Sequence, residues 1–232
     1  MIFGNYALYF LISLPALLLG LYAQARVRSA FNKYSRVRTK SGMTGSEVAR
    51  RVLDANGLQN VKIEQVRGSL SDHYDPRSRT LRLSQSVFSA PSISAAGVAA
   101  HEAGHAIQHK NNYGPLSLRS LMVPTVQLGS WLGPIVFMAG LFLAMDNLAL
   151  IGIILFAATA VFSIVTIPVE LDASKRAKQA LASAGVAYGS EIEQVDKVLD
   201  AAALTYVAGA VQALSTLLYY GILFMGGRRR RS

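Results

Sequence analysis

The chain has 232 residues, a net charge of +10 and no cysteine, and 52% of it is hydrophobic, with a mean hydropathy of +0.33. Without cysteine there is no disulfide framework, iron–sulfur cluster or thiolate zinc site, so a bound metal must rest on imidazole and carboxylate. The clustered apolar residues argue against a wholly soluble protein, and the cations adjoin the apolar runs, which points to membrane topology and anionic lipid rather than nucleic acid.

A helix that crosses the ~30 Å hydrocarbon core needs ~20 mainly apolar residues. Four stretches qualify: residues 2–25, 123–145, 148–169 and 203–225. The first lacks a basic leader and its positive charges follow the apolar run, which suits an uncleaved anchor within residues 1–25. A polar loop follows, residues 26–120, and reads as a small α+β unit. "TGSEVARRVLDANGL" predicts a helix, with Thr44 and Ser46 as caps and Gly57 as the stop. "NVKIEQV" alternates like a strand. "DHYDPRSRTLRLS" reads as a turn and then a strand in which Leu81 and Leu83 alternate with Arg82. "SAPSISAAGVAAHEAGHAIQHKNNYGP" predicts a helix that starts at Pro91 and Ser92 and ends by Asn111 to Pro115.

Residues 121–169 hold the second and third apolar stretches, joined at Asp146 and Asn147. So short a turn demands antiparallel neighbours. Residues 170–202 form a polar helical segment, and residues 203–232 hold the fourth apolar stretch and the arginine tail. The fourth stretch carries Gln212 and three tyrosines, so it is expected to face protein more than lipid. Of the 23 Lys and Arg, 15 fall in the first polar loop, 4 in the second and 4 in the tail. Four crossings put both loops on one side, and the excess of positive charge makes that side the cytoplasm. The tail then lies outside, against the same rule, unless the fourth stretch does not fully cross.

The chain has four histidines, and three lie between Ala99 and His109 in "AAHEAGHAIQH". His101 and His105 stand four residues apart, so a helix projects them from one face, one turn apart. That spacing lets two imidazoles meet one zinc at ~2.0–2.1 Å. Glu102 beside the first histidine is placed to take a proton from an attacking water and pass it to a leaving amine. Such is the HExxH pattern of zinc peptidases, and the flanking Ala and Gly residues allow another backbone to come close. His109 lies two turns from His101, ~12 Å along the axis, and cannot share its metal. It reads as a helix-end residue near the negative pole of the dipole.

Glu170 follows Pro168 at the end of the third apolar stretch, where a carboxylate is costly unless paired or bound to metal. The antiparallel hairpin returns it towards the HEAGH helix, which makes it the candidate third ligand. The alternative is an interfacial acid paired with Lys175 or Arg176. Asp172 would point away from the metal and either cap the helix or pair with Arg176, whereas Ser174 faces the site; both are candidates to support the ligands from behind. His73, in "SDHYDP", reads first as a turn residue, with substrate binding, metal ligation or donation to the transition state as its functional alternatives.

These stretches, with "PVELDASKRA" and "AAALTYVAGA", resemble the YugP-type membrane zinc metallopeptidases, a bacterial family. That family is distantly similar to the HtpX and CAAX prenyl protease group, in which a glutamate on a later helix completes a HExxH site. The resemblance implies a mainly α membrane protein of about four transmembrane helices with a small α+β, zincin-like catalytic unit. It implies one Zn2+ on His101, His105 and Glu170 in a gluzincin-like set, with Glu102 as base. The HtpX-like group usually carries Asp four residues after its ligand Glu; here Ser174 stands there, and the acid is Asp172. Tyr206 is the candidate donor to the carbonyl oxygen, with His73 as runner-up and packing in an interface belt as the alternative role for Tyr206. The strand Leu81, Arg82, Leu83 and Ser84 is a candidate to hold an extended substrate by edge pairing.

The expected function is therefore an integral membrane zinc endopeptidase that hydrolyses peptides or membrane-protein segments with a zinc-activated water. It would be multi-pass in the bacterial inner membrane, with its catalytic loops cytoplasmic and no nucleic-acid partner. The alternatives are a non-catalytic metal-binding membrane adaptor, which would have no need of Glu102, and an anionic-lipid-binding membrane protein.

Overall fold

A computed structural model describes residues 2–228, and side chains from residue 7 to residue 226. The arginine tail beyond residue 228 lies outside the described residues. Four helices, α1 (Ile2–Tyr34), α5 (Gly114–Phe142), α6 (Asp146–Ser183) and α7 (Ser190–Arg228), are long. Between α1 and α5 come α2 (Gly45–Ala55), β1 (Lys62–Val66), β2 (His73–Asp75), β3 (Thr80–Ser84), α3 (Gln85–Phe88) and α4 (Ile93–Lys110). Among the described residues, these four helices are long and apolar enough to cross a membrane. Each extends beyond its apolar stretch at one end at least, although α5 stops short of residue 145, because polar residues such as those after Glu170 continue a helix wherever packing supports it. Pro168 interrupts α6 only locally, since the missing N–H costs one ladder bond rather than the helix.

The chain divides into two units. One takes in the chain up to Ala23, Leu118–Ile167, and the chain from Thr205 onward. There α5 and α6 pack as antiparallel neighbours along a glycine seam, as the short turn requires. A Cβ on Gly140 would lie 2.2 Å from Ala149 N, and one on Gly152 would lie 2.3 Å from Phe137 N. Only glycine permits so close a backbone approach. Tyr220 stacks on Phe137, with ring centroids 4.3 Å apart, and meets Phe156 edge-on. Outer residues such as Phe142, Leu143 and Ile154 remain exposed.

The other unit comprises Gln24–Ser117 and Pro168–Leu204. Thr44 caps α2 in a capping box with Glu47, and its buried face of Val48, Ala49, Val52 and Leu53 packs on α4. Ser92 caps α4, as the sequence suggests. The sheet has the order β1-β3-β2, with β1 parallel and β2 antiparallel to β3. β3 is thus the central strand. Leu81 and Leu83 point into the core and are fully buried, as their alternation predicts.

The edge-pairing role expected for β3 is corrected by this topology, because both of its edges are already taken. Arg82 pairs with Glu64 on β1 and Asp75 on β2, at 3.1 and 3.4 Å. Ser84 N–H and Oγ donate to Asp72. Leu81, Arg82, Leu83 and Ser84 are therefore structural, and β1 and β2 carry the free edges. The error came from β2, whose three residues are too few to read as a strand without their partner.

Replacing Gly152 with Ala should cost about 1–3 kcal/mol, because neither backbone of the seam can give way. Gly209 of α7 has open space, so Gly209→Ala should be neutral or slightly stabilising. Unfolding midpoints of the two detergent-solubilised variants, measured side by side, check this contrast.

Candidate metal centre

The sequence of α4 is built for contact. Ala96, Ala99, Ala100, Ala103 and Ala106 are fully buried, and two glycines remove the remaining bulk. A Cβ on Gly97 would press on the Val195 side chain of α7 at 3.3 Å. One on Gly104 would lie 2.6 Å from the Ala173 carbonyl oxygen of α6. Gly104, inside HEAGH, therefore lets α6 lie backbone to backbone against α4, one turn of α6 beyond Glu170.

That approach brings three ligand atoms together. Glu170 Oε2 lies 3.1 Å from His101 Nε2 and 3.5 Å from His105 Nε2. The three side chains are only 12%, 9% and 2% exposed for His101, His105 and Glu170. The three ligand atoms all lie within 4.8 Å of one another. Tetrahedral zinc with bonds of ~2.0–2.1 Å holds its ligand atoms roughly 3.3 Å apart, so the spacing suits such an ion. One carboxylate and two imidazoles, with no thiolate, also match the donor set of a catalytic rather than a structural zinc site. Among the described residues, this is the group of His, Asp and Glu side chains able to hold a metal.

Both imidazoles are fixed through their other nitrogen. His101 Nδ1 lies 3.1 Å from Ser174 Oγ, and His105 Nδ1–H donates to Gln108 Oε1 at 3.0 Å. Both Nε2 atoms are thereby left for a ligand. Gln108 is fully buried, and its amide is also engaged: Nε2 donates to the Val169 carbonyl and to Asp172 Oδ2, each at 2.8 Å. Asp172 in turn takes Arg176 Nε at 2.5 Å, and the Arg176 guanidinium lies over the Tyr113 ring. Ser174 and the Asp172–Arg176 pair stand as the sequence suggests, but Asp172 reaches back to Gln108 instead of pointing away from the centre, and Gln108 itself escaped the sequence reading. The available signal was an uncharged polar residue three positions after His105, within a helix of small residues.

Glu102 is also buried, 8% exposed, and its charge reaches His105. Burial works against a charged His105 ring. The bond to Glu170 and the charges of Glu102 and Glu170 outweigh that and raise its pKa above the usual histidine value.

The other candidates are not part of this three-residue group. His73 sits exposed on β2, in a strand rather than the expected turn, with Nδ1 2.8 Å from the Ser71 carbonyl oxygen. His109 ends α4 with Nδ1 2.9 Å from the Tyr74 hydroxyl. Tyr206 is half-buried on α7 and belongs to the first unit described.

Two outcomes follow for metal binding. Gln108→Leu keeps the bulk but frees the His105 ring, so zinc affinity should fall about 10–100-fold in chelator competition. A proton on the ligand nitrogen of His105 must leave before metal binds, and its raised pKa strengthens that competition. Zinc affinity should therefore climb with pH until that pKa is passed and weaken by about tenfold per unit below it, for one displaced proton. A pH series of the same titration checks the slope.

No solved structure matches the chain. The family model described as "Putative neutral zinc metallopeptidase" matches residues 9–225. A protein of Bacillus subtilis (strain 168) named "Putative membrane protease YugP" is 49% identical over 221 residues, which are 95% of this chain and 98% of that protein. Matched along nearly its whole length by both, the chain belongs to this neutral zinc metallopeptidase family.

Proposed function

We propose that the protein is an integral membrane zinc endopeptidase that hydrolyses peptide bonds at the site built by α4 and α6. The observation that carries this reading is the convergence of His101 Nε2, His105 Nε2 and Glu170 Oε2 beside the buried carboxylate of Glu102. Family membership and the name of the Bacillus relative support it. So do the four long apolar helices.

In this reading His101, His105 and Glu170 hold the ion, with Ser174 and Gln108 fixing the two rings. A zinc ion held there supplies a Lewis acid that polarises the scissile carbonyl and makes water nucleophilic at neutral pH. Glu102 takes the proton of the attacking water on its carboxylate and delivers it to the leaving amine nitrogen. The low exposure of the ligands keeps bulk water from competing and strengthens each charge interaction. The predominance of Lys and Arg in the two polar segments supports a cytoplasmic position for the catalytic residues at the bacterial inner membrane. The bilayer and a peptide or membrane-protein segment are then the partners. Tyr206 remains a candidate donor to the carbonyl oxygen.

Glu102→Gln should retain its metal and lose about 10²–10⁴-fold in peptide cleavage. Glu170→Ala should lose both metal and activity, as a site reduced to two imidazoles holds zinc poorly. Metal content and cleavage of a casein-derived peptide mixture, measured on the same detergent-purified samples, separate the two effects. A zinc-loaded wild type that cleaves nothing would overturn the peptidase reading. A Glu170→Ala protein with full zinc affinity would remove Glu170 from the ligand set.

A further inference from the structure

A cleft opens along α4, C-terminal to the metal ligands and within the same unit. Its volume is about 340 Å³, and it is floored in part by Val61 and Ala106, with Tyr74, Arg79, His109 and Lys110 among its lining residues. It lies close to the ligands along α4: His109 follows His105 by one turn, ~6 Å along the axis. No Asp or Glu lines it. The carboxylate next to Tyr74, that of Asp75, is already engaged. The Ser78 hydroxyl, Arg77 N–H and Arg82 bind it and hold its pKa down to about 2.

The donors of the cleft are available. Arg79 is exposed and has no ion pair among the described residues. Its φ of +49° is a left-handed conformation uncommon for a side-chain-bearing residue, set by the tight turn between β2 and β3. Lys110 spends one ammonium hydrogen on the Asn56 carbonyl at 2.5 Å and keeps two. His109 uses Nδ1 on Tyr74 and leaves Nε2. Two cations, an imidazole and a phenol around an apolar floor, with no neutralising acid, form a receptor for a carboxylate on a short aliphatic stem.

We infer that this cleft is a specificity subsite that takes an acidic side chain, Asp or Glu, of the peptide substrate. The cleft starts one helical turn past His105, and an extended peptide covers such a ~6 Å step in about two residues. The inference rests on the peptidase reading for its meaning, but its binding chemistry can be tested separately.

The test uses full-length, zinc-loaded Glu102→Gln protein in nanodiscs of neutral lipid. Two short fluorescent peptides serve as probes, one of alternating Glu and Ala, the other with Gln for each Glu. Anisotropy should give the Glu peptide an advantage of about tenfold, the scale of two solvent-exposed ion pairs. The advantage should shrink with added salt and vanish in the Arg79→Gln/Lys110→Gln double variant. In the Arg79→Glu/Lys110→Glu variant a Lys–Ala peptide should bind better than the Glu peptide. Zinc content and unfolding midpoint confirm that each variant is folded. Equal binding of the Glu and Gln peptides, or an acid preference that survives the double variant, overturns the subsite. A protein that prefers the acidic peptide through Arg79 and Lys110, yet in its wild-type form cleaves no peptide, leaves the cleft standing and sinks the peptidase reading alone.

Discussion

The site depends on one contact between two backbones. At Gly104 the helix α4 has no side chain, and the Ala173 carbonyl of α6 occupies the space where one would begin. Helices that touch through Leu or Phe keep their axes 8–10 Å apart. Helices that touch through glycine come closer, and here that closeness is what the chemistry requires. A glutamate side chain is short, and Glu170 reaches two imidazoles at once only because its own backbone is pulled in. The alanines around Gly104 extend the same logic along α4, which is buried over most of its length by neighbours rather than by bulk of its own.

Burying a carboxylate to 2% exposure would ordinarily be prohibitive. The protein meets that cost with partners and not with solvent. Two imidazoles face Glu170, the Asp172–Arg176 pair stands one step back, and Gln108 ties that pair to His105 and to the α6 backbone. Gln108 has every strong hydrogen-bonding group used, which is the condition under which a buried polar network orders a site instead of loosening it. The arrangement is also directional. Each imidazole has one nitrogen committed inward to the protein and one committed to the centre.

Much of this was legible from sequence where the signal is local. The four-residue spacing of His101 and His105, the small residues around them and the Ser92 cap all act within one helix, so periodicity reveals them. Glu170 was legible for a different reason, since an acid at the end of a long apolar run is expensive and needs an explanation. What escaped was set by pairing between distant segments. β2 is three residues long and exists because β3 lies beside it, so its absence from the reading pushed the substrate edge onto Leu81 to Ser84. Gln108 carries no periodic signal, and its role arises from Val169 and Asp172, sixty residues away in sequence. The ends of the long helices were misjudged because hydropathy locates apolar runs, not the points at which a hydrogen-bonded ladder stops.

The supports of the two histidines have a further consequence. Many metal-bound histidines lean on a carboxylate, which draws the ring proton away and makes the ring a richer electron donor. Here one leans on a hydroxyl, Ser174, and the other on an amide, Gln108. Neither partner carries charge. The rings therefore give up less electron density, and an ion between them, balanced in the ligand set by the single negative charge of Glu170, keeps more of its own positive character. Such a centre would trade tenacity for electrophilicity: it would hold an ion less firmly and pull harder on whatever oxygen is brought against it.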